Sequence, residues 1–323
     1  MKKRKRPDGG DGALVAAEEA ILLARRAPPD AWLCYLGGTI PFVLGILYFW
    51  SDMSRGANAF ERCVPAALGL AFLFMIMKLG HAMYAARLLD VLAGRRRPWT
   101  FRRIRRMAWV QSAIQPWGLF AVPLSLALMM PFVFVHGYFQ NLTVLADGDD
   151  LDLKPLRRRA WQLAQQNLFS HYLTVWLLSP WILGMVMILS FGVVWFLVNV
   201  LAQHAVHDPS NWFVMGALVF VLLVWPLSPL GSALVVNLAV CFVLVPELLR
   251  IFLGWETLFR LSTGYAITNT TFLVTLFGVA YLCLDPLVKA AYVIRCFKGG
   301  SRRNGLDLLV TLAELREQRE NSS

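Results

Sequence analysis

Charge is scarce in this sequence. Asp, Glu, Lys and Arg make up 16% of the 323 residues, whereas 58% are hydrophobic. An ordinary soluble domain carries about 25% charged residues, so that class is excluded. Acidic side chains are the scarcest, 20 against 31 Lys and Arg, for a formal charge of +11. Signatures of chemistry are missing as well. The chain has no Walker A sequence, no GxSxG elbow, no HExxH pair, no GxGxxG after a strand and no paired carboxylates inside an apolar run. Its cysteines, Cys34, Cys63, Cys241, Cys283 and Cys296, are scattered without metal or thioredoxin-like spacing and read as small apolar packing residues. The expectation is a chain that is not an enzyme and holds no cofactor or metal.

What the sequence has in quantity is apolar runs of bilayer length. About twenty such residues cross a hydrocarbon core of roughly 30 Å as a helix. Ala31 to Trp50 and Val64 to Met83 meet that length, as do Tyr172 to Ala202, Ser232 to Phe252 and Tyr265 to Leu284. Trp117 to Phe139 also qualifies, as a span bent at Pro123 and Pro131. The predicted fold is an all-α polytopic transmembrane helical bundle of six segments, or seven if the short stretch Trp212 to Trp225 also crosses. The domain plan is a basic N-terminus with a surface helix over 1–30, an integral helical domain over 31–297 and a polar tail over 298–323.

Amphipathic helices at the interface complete this plan. Ala13 to Arg26 offers Leu14, Ile21 and Leu22 to one face and is ended by Pro28 and Pro29. Glu18 and Glu19 break what would be a signal-peptide core. Arg87 to Arg106 carries eight arginines against Asp90, and the positive-inside rule puts it and the N-terminus in the cytoplasm. Six segments keep the late basic residues, from Lys289 to Arg303, on that same side. Thr100 is placed to cap a helix whose arginines reach anionic lipid headgroups. A position between membrane spans excludes nucleic acid as their partner, leaving the bilayer and other membrane proteins. The stretch with Asp147, Asp149, Asp150 and Asp152 lacks the spacing and twelfth-position glutamate of an EF-hand and reads as a solvated turn. His204 and His207, with Asp208, lack a third ligand and read as an interfacial loop.

Ionisable residues inside apolar runs are the candidates for function. Lys78 and His81 share a face of the second segment, where the lysine is close enough to the boundary to snorkel. Asp285 and Lys289 follow the last run, and Asp285 before Pro286 reads as an N-cap that starts a separate surface helix at the interface. Only a last helix unbroken to Phe297 would place that pair deep in the bilayer. Asn199 and Asn237 read as interhelical hydrogen-bonding groups.

The stretches NLAVCFVLVPELLRIFLGWETLF and TNTTFLVTLFGVAYLCLDPLVKAAYVIRCFKG resemble the C-terminal portion of uncharacterised bacterial multipass inner-membrane proteins. The alternation of surface helices with proline-broken spans is similar to the membrane domain attached to glycerophosphodiester phosphodiesterases. The resemblance implies a bacterial inner membrane and brings no catalytic residue, since that chemistry belongs to a separate soluble barrel. The function expected is that of a non-enzymatic envelope or complex component. The alternative is a transporter or channel with a site near Lys78, His81 and Asp285.

Overall fold

Two prolines set the first boundary. Pro28 is extended and Pro29 occupies the first helical turn, where its missing N–H costs nothing. They divide α1 (Asp11–Arg25) from α2 (Pro29–Arg55). The computed structural model describes residues 11–128, 133–147, 152–166, 168–178, 229–254 and 270–304. The other elements of these residues are α3 (Ala59–Leu92), α4 (Phe101–Leu128), α5 (Val133–Leu145), α6 (Leu153–Gln165), α7 (Leu168–Leu178), α8 (Pro229–Leu253) and α9 (Thr270–Asn304). All are helical. Trp212 to Trp225, Asn199, His204, His207, Asp149 and Asp150 lie outside the described residues.

Four helices among the described residues, α2, α3, α8 and α9, are long and apolar enough to cross a membrane. Their outward faces are apolar: Leu33, Leu44 and Tyr48 on α2, Val64, Leu68 and Phe72 on α3, and Val236, Ile251 and Phe252 on α8 are all exposed. The interior, in contrast, holds buried Thr, His, Gln, Asp and Lys. Polar groups inside and a continuous apolar surface outside suit a lipid solvent, because a soluble monomer seldom exposes so much apolar area.

α2 and α3 form the tightest pair. A Cβ on Gly38 would stand 3.0 Å from the Ile76 carbonyl oxygen, and one on Gly80 would stand 2.5 Å from that of Cys34. Two glycines therefore let the backbones touch, the usual means of close approach for helices in lipid. α9 lies against both helices and is tied at its two ends to opposite ends of the molecule. The Trp50 indole donates to Thr270 Oγ1 at 3.2 Å, whereas Lys298 Nζ donates to Glu19 Oε1 of α1 at 2.7 Å. The last helix thus returns to the end where α1 lies.

The stretch Trp117 to Phe139, expected to cross as a bent span, instead turns back on itself. Phe139 of α5 packs against Gly118 of α4, with its ring 2.9 Å from where a Cβ on that glycine would be. Gln115 Nε2 donates to the Phe139 carbonyl at 3.3 Å and to Thr143 Oγ1 at 3.1 Å. Further along, Arg103 at the start of α4 meets Asp147 just beyond α5. α4 and α5 are therefore a hairpin that enters and leaves at one end of the molecule. Asn237 also departs from expectation: its amide donates at 2.7 Å to Ala233 of its own helix, on an exposed face.

Candidate functional site

The arginine-rich linker forms an ion cluster that fixes the positions of α2, α3, α4 and α5. Thr100 Oγ1 caps α4 by accepting from the Arg103 N–H at 3.3 Å, as expected. Arg103 then donates to both oxygens of Asp147, at 2.6 and 2.8 Å, and reaches Asp90 at 3.4 Å. Arg97 bonds Asp90 at 2.9 Å and also pairs with Asp147. Arg87 pairs with Asp30 of α2 at 2.8 Å. The Arg87 and Arg103 guanidiniums both lie over the Trp99 indole, 4.4 and 4.5 Å from its centroid. Burial works against the charge of Arg103, but hydrogen bonds and attraction from Asp147 and Asp90 outweigh it and raise its pKa. Two expectations change here. Arg87, Arg97 and Arg103 serve carboxylates of this chain, and Asp147 is buried in their midst instead of standing in a solvated turn.

The cluster also serves as a depth gauge. From Asp30 to Trp50 is about twenty residues, or about 30 Å of helix, the thickness of a hydrocarbon core. Thr39 lies about nine residues in from Asp30, His81 about nine in from Asp90, and Lys289 about nine in from Lys298, each about 14 Å along its helix. Three helices therefore bring polar residues to the same level, close to the middle of the bundle.

At that level Asp285 and Lys289 meet. α9 runs unbroken from Thr270 to Asn304 with Pro286 in its interior, so the expected helix start at Asp285 is overturned, and the pair lies midway along a helix long and apolar enough to cross a membrane. Asp285 is 6% exposed and Lys289 1%. The carbonyl that Pro286 leaves without its helical donor is tolerated inside a packed bundle. Lys289 Nζ stands 3.2 Å from Asp285 Oδ1 and donates to Gln140 Oε1 of α5 at 2.6 Å.

Two arms extend from this pair. In the first, His81 Nε2 lies 3.5 Å from Asp285 Oδ2 and 3.0 Å from Thr39 Oγ1. The threonine hydroxyl donates its hydrogen to the Tyr35 carbonyl at 2.7 Å, so Thr39 can only accept from His81, and Nε2 carries the ring proton. In the second arm, Gln140 accepts from lysine and so presents its amide N–H to His136 Nε2 at 3.1 Å. That nitrogen is then an acceptor, and His136 Nδ1 donates to Tyr292 OH at 3.1 Å. The result is a connected polar chain, Thr39, His81, Asp285, Lys289, Gln140, His136, Tyr292, that crosses from α2 to the hairpin.

The first arm is incompletely satisfied. Tyr35 stacks on His81 with ring centroids 5.1 Å apart, and Tyr84 lies 5.4 Å from Tyr35. Tyr84 OH and His81 Nδ1 are buried without a hydrogen-bond partner among the described residues. Such groups are costly unless a water, ion or ligand completes them. Among the described residues no three His, Cys, Asp or Glu come together as a metal site.

Of the sequence candidates, the structure joins His81, Asp285 and Lys289 and leaves Lys78 outside the chain, with its Nζ 5.2 Å from the centroid of the Phe74 ring. Thr39, Gln140, His136 and Tyr292 went unnoticed in the sequence. His136 and Gln140 were detectable, since a polar pair four residues apart in VFVHGYFQNLTVL shares one helix face. Comparison with family models, curated proteins and solved structures returned no match.

Proposed function

We propose that this chain is a proton-conducting transporter or channel of a bacterial inner membrane, with Asp285, Lys289 and His81 at its centre. The observation that carries this reading is the buried Asp285–Lys289 pair, joined by hydrogen-bonding groups to α2 and α3 on one side and to the hairpin on the other. Charged groups at this depth are expensive in lipid and, where present, mark ion and proton pathways. A hairpin that returns to its own side at such a site suits a transport fold, in which interrupted elements bring polar groups to the midplane. The arginines between Arg87 and Arg106 support a cytoplasmic position for the ion cluster and N-terminus. The bacterial setting rests on the resemblance of the last two spans.

The test is proton flux in vesicles reconstituted with the full chain and a pH-sensitive dye inside. Wild-type protein dissipates an imposed pH gradient, and Asp285→Asn slows this by about tenfold or more while remaining folded. Equal flux in the two proteins rejects the reading. A second reading, a non-enzymatic complex component, draws on Lys289 having both its carboxylate and its amide partner, as interhelical glue would. It gives a folded wild type with no flux above that of empty vesicles.

A further inference from the structure

The sequence assigned lipid phosphates to the linker arginines, several of which the structure commits to Asp30, Asp90 and Asp147. Three further cations without a carboxylate partner among the described residues lie on α6. Ala160, Leu163 and Ala164 bury one side of this helix, and its exposed side presents Lys154, Arg157 and Arg158. No carboxylate pairs with these three cations among the described residues, and the one side-chain hydrogen bond they make there is from Arg157 Nε to Tyr138 OH at 3.3 Å.

A cavity of about 770 Å³ opens between α5 and α6, lined by Lys154, Arg157 and Arg158 together with Tyr138, Trp161 and Asp152. Its volume lies within the roughly 300–1,000 Å³ of ligand sites. One wall is aromatic: Trp161 meets Tyr138 edge-on at 5.7 Å and Phe134 at 5.2 Å. Asp152 is already engaged, since its Oδ1 accepts from the Lys154 N–H at 3.0 Å and caps the helix. The neighbouring cavity of about 370 Å³ places Asp147 and Asp152 beside Arg95, Arg97 and Arg159 and so is close to charge-balanced. The α5–α6 cavity, in contrast, keeps an excess of positive charge beside aromatic rings.

We infer that the α5–α6 cavity is a binding site for the phosphate headgroup of an anionic membrane phospholipid. Arg157 and Arg158 supply planar donors for the phosphate and Lys154 a third charge. Trp161 and Tyr138 hold the glycerol and upper acyl region at the depth where such rings settle. The inference rests on the membrane setting and stands apart from the transporter or channel reading, because its test measures lipid and no flux.

The full chain is purified in mild detergent with equimolar phosphatidylglycerol and phosphatidylcholine, and retained lipid is weighed by native mass spectrometry. Wild type keeps phosphatidylglycerol over phosphatidylcholine by about tenfold or more. Removing one charge in Lys154→Gln lowers that preference by about fivefold, the effect of one basic residue near a charged surface. Arg157→Gln/Arg158→Gln abolishes it. All three side chains are exposed, and an unchanged melting temperature shows that the fold survives. Equal retention of the two lipids by wild type overturns the site, as does undiminished preference in the double variant. Displacement of the lipid by millimolar glycerol phosphate assigns the site to a soluble phosphate and overturns the lipid reading.

Discussion

Gly80 of α3 faces the carbonyl of Cys34 on α2 so closely that a Cβ at position 80 would lie 2.5 Å from the oxygen. One residue further along each partner, Tyr35 stacks on His81, so the spacing of two backbones sets the packing of the polar centre. Gly80→Ala has no flexible side chain to push aside and should cost about 1–3 kcal/mol as helices separate. Gly37→Ala is the control, because nothing lies within 4 Å of a Cβ there. Denaturation in mixed detergent should separate the two variants clearly.

Lys289→Met removes one member of a buried ion pair and should destabilise the protein by about 3–5 kcal/mol, since Asp285 loses its cationic partner. The double variant Asp285→Leu/Lys289→Met should recover most of that loss. The same denaturation series reads both. A double variant no better than the single would mean that Gln140 and His81, not the pair, dominate the energetics.

Arg103→Lys keeps the charge but loses the planar fork that grips Asp147 and covers Trp99. A loss of about 1.5–3 kcal/mol is expected, the worth of hydrogen bonds to a charged group. Limited proteolysis offers an independent reading, because a loosened linker should be cut after Arg95 or Arg96 faster than wild type.

The ties from Trp50 to Thr270 and from Glu19 to Lys298 put α1 and the C-terminal end of α9 at one end of the molecule. Reporter fusions after Gly299 and near Asp11 should therefore give the same sidedness, and one placed near Gly56 the opposite. Opposite activity at 299 and 11 would contradict this arrangement.

Length and composition were enough to find α1, the long helices and the Thr100 cap, because each depends on local order: a run of apolar residues, a proline pair, a hydroxyl before a helix. The hairpin was hidden for a physical reason. Hydropathy reports how long a segment remains apolar and says nothing about its direction, whereas the reversal depends on Gly118 admitting a ring from α5. The depth of Asp285 was hidden by a local rule that held too strongly. Asp followed by Pro favours a helix start in water, but neighbouring helices around α9 make an interior proline acceptable. The ion cluster combined both problems, since nothing in the sequence links Asp30, Asp90 and Asp147 before the chain is folded.

The hairpin also bears on how the protein is made. Gln140 and His136 are separated from their partners on α9 by 149 and 156 residues. During synthesis the hairpin must therefore wait with its polar face incomplete until the last helix arrives. A chain halted before Lys289 would leave Gln140 without its lysine and His136 without Tyr292.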